Sequence, residues 1–153
     1  MSETFAVLAI LIIFGIPVSL SDLKSKTIPN WLTGFFLIAS IGFGFWVSLS
    51  GSTPILQLVI SCVLSLSVYL VLYLLSRGSL GAADLKLAPG FGALLSVFPF
   101  IAVTWWILLT FVLAGIVSVI LLATKRLGLK QEIAFAPFMF FAGVLIVLLS
   151  QRY

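Results

Sequence analysis

Charged positions divide this chain into long apolar stretches, and their lengths set the first expectations. Residues 5–20 carry no charge and run into Ser21-Asp22-Leu23-Lys24-Ser25-Lys26. No charge then appears until Arg77, an interval far too long for one helical crossing of about 20 residues. Ser48 to Pro54 (SLSGSTP) gathers Gly, Pro and Ser, which favour a turn, and breaks that interval in two. Lys86 to Lys125 is again uncharged between its ends. As one helix it would measure roughly 55 Å, against about 30 Å of hydrocarbon, so a turn is expected near Pro99. The pattern predicts an all-α chain of six transmembrane helices, with passes near 5–21, 31–48, 55–75, 85–98, 101–123 and 133–150.

Composition changes this picture only by excluding water as the main solvent. Of 153 residues, 63% are hydrophobic and 8% charged, whereas a soluble domain carries roughly a quarter of its residues as charged groups. The bilayer is therefore the expected partner of most of the surface. A single integral-membrane domain fills residues 1–153, with no room for a sizeable soluble one. The N-terminus lacks a basic n-region and does not read as a cleaved signal peptide.

Charge supplies orientation. The formal net charge of +4 forms no basic stripe, so nucleic acid is not an expected partner. With six passes, Lys24, Lys26, Arg77, Lys86, Lys125, Arg126 and Lys130 share one face, and only Arg152 lies opposite. That bias is the one expected of cytoplasmic loops, which puts both termini outside. Small residues at four-residue spacing, Ala88-Gly92-Ser96 and Thr110-Ala114-Ser118, suit close helix packing in lipid.

Histidine is absent and Cys62 is the only cysteine. Ser-His-Asp and Cys-His catalysis, HExxH zinc chemistry and CxxC redox chemistry are excluded together, and neither a metal nor a cofactor is expected. Acid–base chemistry then falls to carboxylates or a lysine. Glu3 reads as a solvated terminal residue and Glu132 as an interfacial partner of Lys130. Asp22 ends pass one and Asp84 opens pass four, which places both at one membrane face and at matched depth. Singly, each suits an interfacial or capping role. Together they suit paired-carboxylate hydrolysis, in which one ionised carboxylate activates water and its protonated neighbour donates. Helix dipoles favour an anion at an N-terminus, so the shared proton is expected on Asp22, with Asp84 as the base.

Three segments resemble one family. Asp22-Leu23-Lys24-Ser25-Lys26-Thr27-Ile28-Pro29-Asn30-Trp31 is similar to the first active-site segment of the type IV prepilin peptidases. Gly81-Ala82-Ala83-Asp84-Leu85-Lys86-Leu87 resembles their Gly-x-Gly-Asp-x-Lys-Leu, with Ala83 in place of the second glycine. Ala134-Phe135-Ala136-Pro137-Phe138 resembles their Pro-Phe-x-Pro, with Ala134 in place of the first proline. The resemblance implies an aspartyl peptidase with Asp22 and Asp84 as its catalytic pair. It also implies a prepilin or pseudopilin substrate cut at the cytoplasmic face of a prokaryotic inner membrane. Lys26 and Lys86 match basic motif positions, where lipid headgroup contact is the simpler role. Pro29 and Asn30 match as a rigid turn that caps and opens pass two. The paired cysteines and length of the bifunctional members are absent, so the chain resembles the short, peptidase-only form associated with Flp (Tad) pili.

Rival readings differ in what the aspartates do. An inactive scaffold for pilus assembly is kept open by Ala83. A proton-coupled transporter would also carry membrane aspartates, but both lie near one face and no pair of broken helices is evident. A Ser-Lys hydrolase built on Ser21 or Ser25 with Lys26 or Lys86 would need a desolvated lysine, which loop positions do not supply.

Overall fold

Proline, glycine and one left-handed residue mark where the helices stop. The computed structural model describes residues 2–76, 81–124 and 134–150. Among them run α1 (Ser2–Ser25), α2 (Asn30–Leu49), α3 (Ile55–Leu75), α4 (Ala82–Leu95), α5 (Ile101–Ala123) and α6 (Ala136–Ser150). Pro29 and Pro54 are the N-caps of α2 and α3, extended at φ −57°, ψ 133° and φ −63°, ψ 137°. A fixed φ and a missing N–H suit proline to a helix start. Gly51 takes φ 81° in the turn between α2 and α3, a conformation that costs glycine nothing. Pro99 lies in the turn between α4 and α5, where its carbonyl accepts Ala102 N–H at 2.7 Å.

The expected passes coincide with these helices, and the differences fall at their ends. α1 continues past residue 21, so Asp22 lies inside its last turn rather than beyond it. α4 begins at Ala82, so Asp84 lies within its first turn. Arg77, Lys125, Arg126, Lys130, Glu132 and Arg152, with the start of the expected sixth pass, lie outside the described residues.

Among the described residues, four helices are long and apolar enough to cross a membrane: Glu3–Ser25, Asn30–Leu49, Ile55–Leu75 and Ile101–Ala123. α4 and α6 have 14 and 15 residues, roughly 21 and 22 Å of rise. The long helices expose large apolar side chains outward, among them Ile13, Phe35, Ile38, Leu56, Leu74 and Val119. Such faces are stable against lipid and not against water.

The shortest helix is the central one. α4 is buried from Gly90 through Leu95 and packs chiefly against α3 and α2. Small residues let it in. A Cβ on Gly92 would stand 2.5 Å from the Ser61 carbonyl of α3. A Cβ on Gly90 would stand 2.7 Å from the Phe36 ring of α2. Ala88 and Ser96, the other members of the small-residue row, are fully enclosed. Gln57, at the start of α3, donates to the carbonyls of Ser96 and Phe98 at 2.7 and 2.6 Å and so closes the C-terminal end of α4.

α1 packs against α6, and α6 against α5. Trp106 of α5 donates its indole N–H to the Met139 carbonyl at 2.9 Å and stacks on Phe91 at 4.9 Å. Tyr69 of α3 lies on the other side of Trp106, with ring centroids 5.8 Å apart. All the buried residues of α5 lie in its first part, from Ala102 to Ala114. Beyond them Ile116, Val119, Ile120 and Leu122 are exposed.

Candidate active site

α1 ends in a turn tied from several sides. Lys26 adopts φ 52°, a left-handed conformation that stops the helix, and its N–H reaches the Asp22 carbonyl at 2.9 Å. Ser21 Oγ and Ser25 Oγ both donate to the Thr27 carbonyl, at 2.9 and 3.0 Å. These bonds fix the last turn of α1 and with it the direction of Asp22.

The Asp22 side chain is buried and turned toward α6. Its Oδ2 accepts the Ala136 backbone N–H at 2.9 Å, and the Phe135 N–H lies beside the same carboxylate. Phe135 is the N-cap of α6, since its carbonyl accepts the N–H groups of Phe138 and Met139 at 3.0 and 3.3 Å. Phe135 has no side-chain oxygen to satisfy the first N–H groups of its own helix. Asp22 supplies that oxygen from α1, across more than a hundred residues of sequence.

Asp84 is held within its own helix. Gly81 is the N-cap of α4, which makes Asp84 the third helical residue. Its N–H donates to the Gly81 carbonyl at 3.1 Å, and its carboxylate lies beside the Gly81 N–H at the start of the helix. A Cβ on residue 81 would stand 3.0 Å from Asp84 Oδ2, so glycine leaves the space that the carboxylate uses. The other oxygen, Oδ1, is buried with no hydrogen-bond partner.

The tertiary structure brings the two expected aspartates together. Each is more than nine-tenths buried, at 8% and 5% exposure, and the charge of Asp22 acts on Asp84. Lys26 acts on Asp22. Tyr69 places its hydroxyl beside Thr110 and within reach of the Asp84 charge. A small apolar recess adjoins the pair, lined by Gly15, Val18, Phe36, Leu87, Phe91, Ala136 and Phe140. Val18 lies one turn before Asp22, and Leu87 one turn after Asp84.

One sequence expectation changes here. Lys86 donates to Asn30 Oδ1 at 2.8 Å, so it ties α4 to α2 instead of reaching only for headgroups. Pro29 is the cap of α2 and Asn30 its first residue, the turn expected to cap and open pass two. Ala83 is helical and half-buried against the core, where a methyl group packs and helix propensity favours Ala over Gly. The Phe135 and Ala136 N–H groups and Tyr69 were not legible as site residues. The only signal for the first two was the motif resemblance around Pro137, and for Tyr69 there was none.

Against known proteins, the family model described as the type IV leader peptidase family matches residues 9–151. The chain belongs to that family. No curated protein and no solved structure matches it.

Proposed function

We propose that this member of the type IV leader peptidase family is an intramembrane aspartyl endopeptidase that removes the leader from Flp-type prepilins, with Asp22 and Asp84 as its catalytic pair. The family supplies the peptidase and the class of substrate. The observation that carries the assignment to these residues is two carboxylates, each more than nine-tenths buried and 62 positions apart in sequence, with the charge of Asp22 acting on Asp84.

Such a pair hydrolyses a peptide bond without a covalent intermediate. The ionised carboxylate takes a proton from water as its oxygen attacks the scissile carbonyl carbon. The protonated carboxyl gives its proton to the carbonyl oxygen, forming a gem-diol. Collapse breaks the C–N bond. The first carboxyl then protonates the leaving amine and the second recovers a proton from the gem-diol, which restores the pair. In this reading all six helices cross or enter the inner membrane, the basic loops face the cytoplasm and both termini face outward.

Co-expression with the prepilin encoded nearest the gene, followed by mass spectrometry of the pilin, tests this reading. Wild type is expected to remove the leader, and Asp22→Asn and Asp84→Asn are each expected to abolish removal at matched expression. Absence of cleavage by well-expressed wild type on several prepilins overturns the reading. So does cleavage surviving either substitution.

A further inference from the structure

The two aspartates are held in unlike ways, and the difference assigns their roles. Asp22 Oδ2 accepts the Ala136 backbone N–H at the start of α6 at 2.9 Å, and the Phe135 N–H lies beside the same carboxylate. It lies at the C-terminal end of α1 but at the N-terminal end of α6, where the helix dipole favours an anion. Lys26 adds a positive charge from the same turn. Asp84 also stands at a helix N-terminus, so the dipoles of α4 and α6 offset each other. What remains is unequal. Asp84 has only the Gly81 N–H beside it, and its Oδ1 is buried without a partner. An ionised carboxylate there would leave a charged oxygen bare, whereas a protonated one buries a neutral group at much lower cost.

Resting on the peptidase reading above, we infer that the start of α6 holds Asp22 as the carboxylate that activates water, leaving Asp84 as the carboxylic acid that protonates the scissile carbonyl. This reverses the expectation from the helix ends in sequence, which counted α1 and α4 but not α6. The Phe135–Ala136 backbone is thereby a positioning element for catalysis as well as the cap of a helix. The titratable groups facing the pair among the described residues are Lys26 on α1's terminal turn and Tyr69 on α3.

Ala136→Pro removes the N–H donor at the first position of α6, where proline fits a helix. Cleavage by the active monoprotonated pair gives a bell-shaped pH profile with an acidic and an alkaline limb. If Asp22 is the ionised member, losing a donor to it makes the first ionisation harder. The acidic limb then moves to higher pH, by about half to one unit, while the alkaline limb stays. If Asp84 is the ionised member, Asp22 ionises second and the alkaline limb moves up instead, which overturns the inference. A fall in rate with neither limb moved also overturns it.

A readout without turnover keeps the inference testable should the proline variant fail to fold. The protonated carboxyl stretch in the infrared at pH 6 is expected to persist in Asp22→Asn and to vanish in Asp84→Asn, each assigned by isotope-labelled aspartate. Loss of the band in Asp22→Asn contradicts the assignment. Wild-type inactivity on prepilins would refute the peptidase reading while leaving this spectral result standing on its own.

Discussion

At the scale of single residues, the site depends on where carbon is absent as much as on where oxygen is present. Gly81 has an ordinary helical-cap conformation, so its value lies in the space that Asp84 Oδ2 occupies. Gly81→Ala is expected to turn the carboxylate aside and lower the cleavage rate about tenfold or more, since small misplacements of reacting groups are costly. Its melting temperature in detergent should move little. Ala83→Gly is expected to do the opposite. Cleavage should stay within about twofold, and stability should fall by about 0.5–1 kcal/mol from added backbone freedom in the helix. Equal loss of activity in both variants would show that Gly81 does not act through Asp84's space. Both aspartates were legible in sequence because charge is rare in such a chain and stands out, and Gly81 through the motif around Asp84. The partners of Asp22 were not, because backbone N–H groups leave no trace in residue identity.

At the scale of helices, the bundle is organised around α4, whose backbone approaches α3 where Gly92 faces the Ser61 carbonyl. That carbonyl belongs to a helix backbone and cannot rotate away as a side chain can. Gly92→Ala is therefore expected to cost about 1–3 kcal/mol through overpacking, read as a lower melting temperature in detergent. Gln57 joins the same helices one turn further along α4. Gln57→Leu leaves the Ser96 and Phe98 carbonyls without that donor, at a cost of about 1–3 kcal/mol. Because this end is remote from the aspartates, the cleavage rate per folded molecule should be unchanged. A large drop in that rate would mean that the far end of α4 sets the geometry of Asp84. The positions of all six helices followed from runs without charge and from Pro29, Pro54 and Pro99. Their ends were less legible. Lys26 stops α1 in a left-handed conformation, which sequence does not mark for lysine.

At the scale of the whole molecule, four helices among the described residues have the length and hydropathy to cross a bilayer, and α4 and α6 are shorter. Single cysteines in a Cys62→Ser background, placed at Ser52 and Lys24, distinguish the sides. A membrane-impermeant maleimide is expected to label position 52 from outside intact cells and position 24 only after permeabilisation. The reverse pattern would invert the proposed topology and put the aspartates at the outer face. The fold also explains why α5 differs from its neighbours. Its residues through Ala114 are bound to the core by Trp106 and Thr110, and the exposed apolar residues after them are suited to lipid.

The sequence alone determined that lipid is the solvent, that the chain forms helices between charged punctuation, and that Asp22 and Asp84 are the candidates for its chemistry. Each follows from residue identity: too little charge for water, turn-forming residues between apolar runs, and few groups able to move protons. Only the tertiary structure decided which backbone meets which carboxylate. α6 sets its first N–H groups on Asp22, and α4 encloses Asp84 with one oxygen unpartnered. The physical reason is that a helix terminus acts on whatever the fold places against it, and Asp22 stands at the end of one helix and the beginning of another.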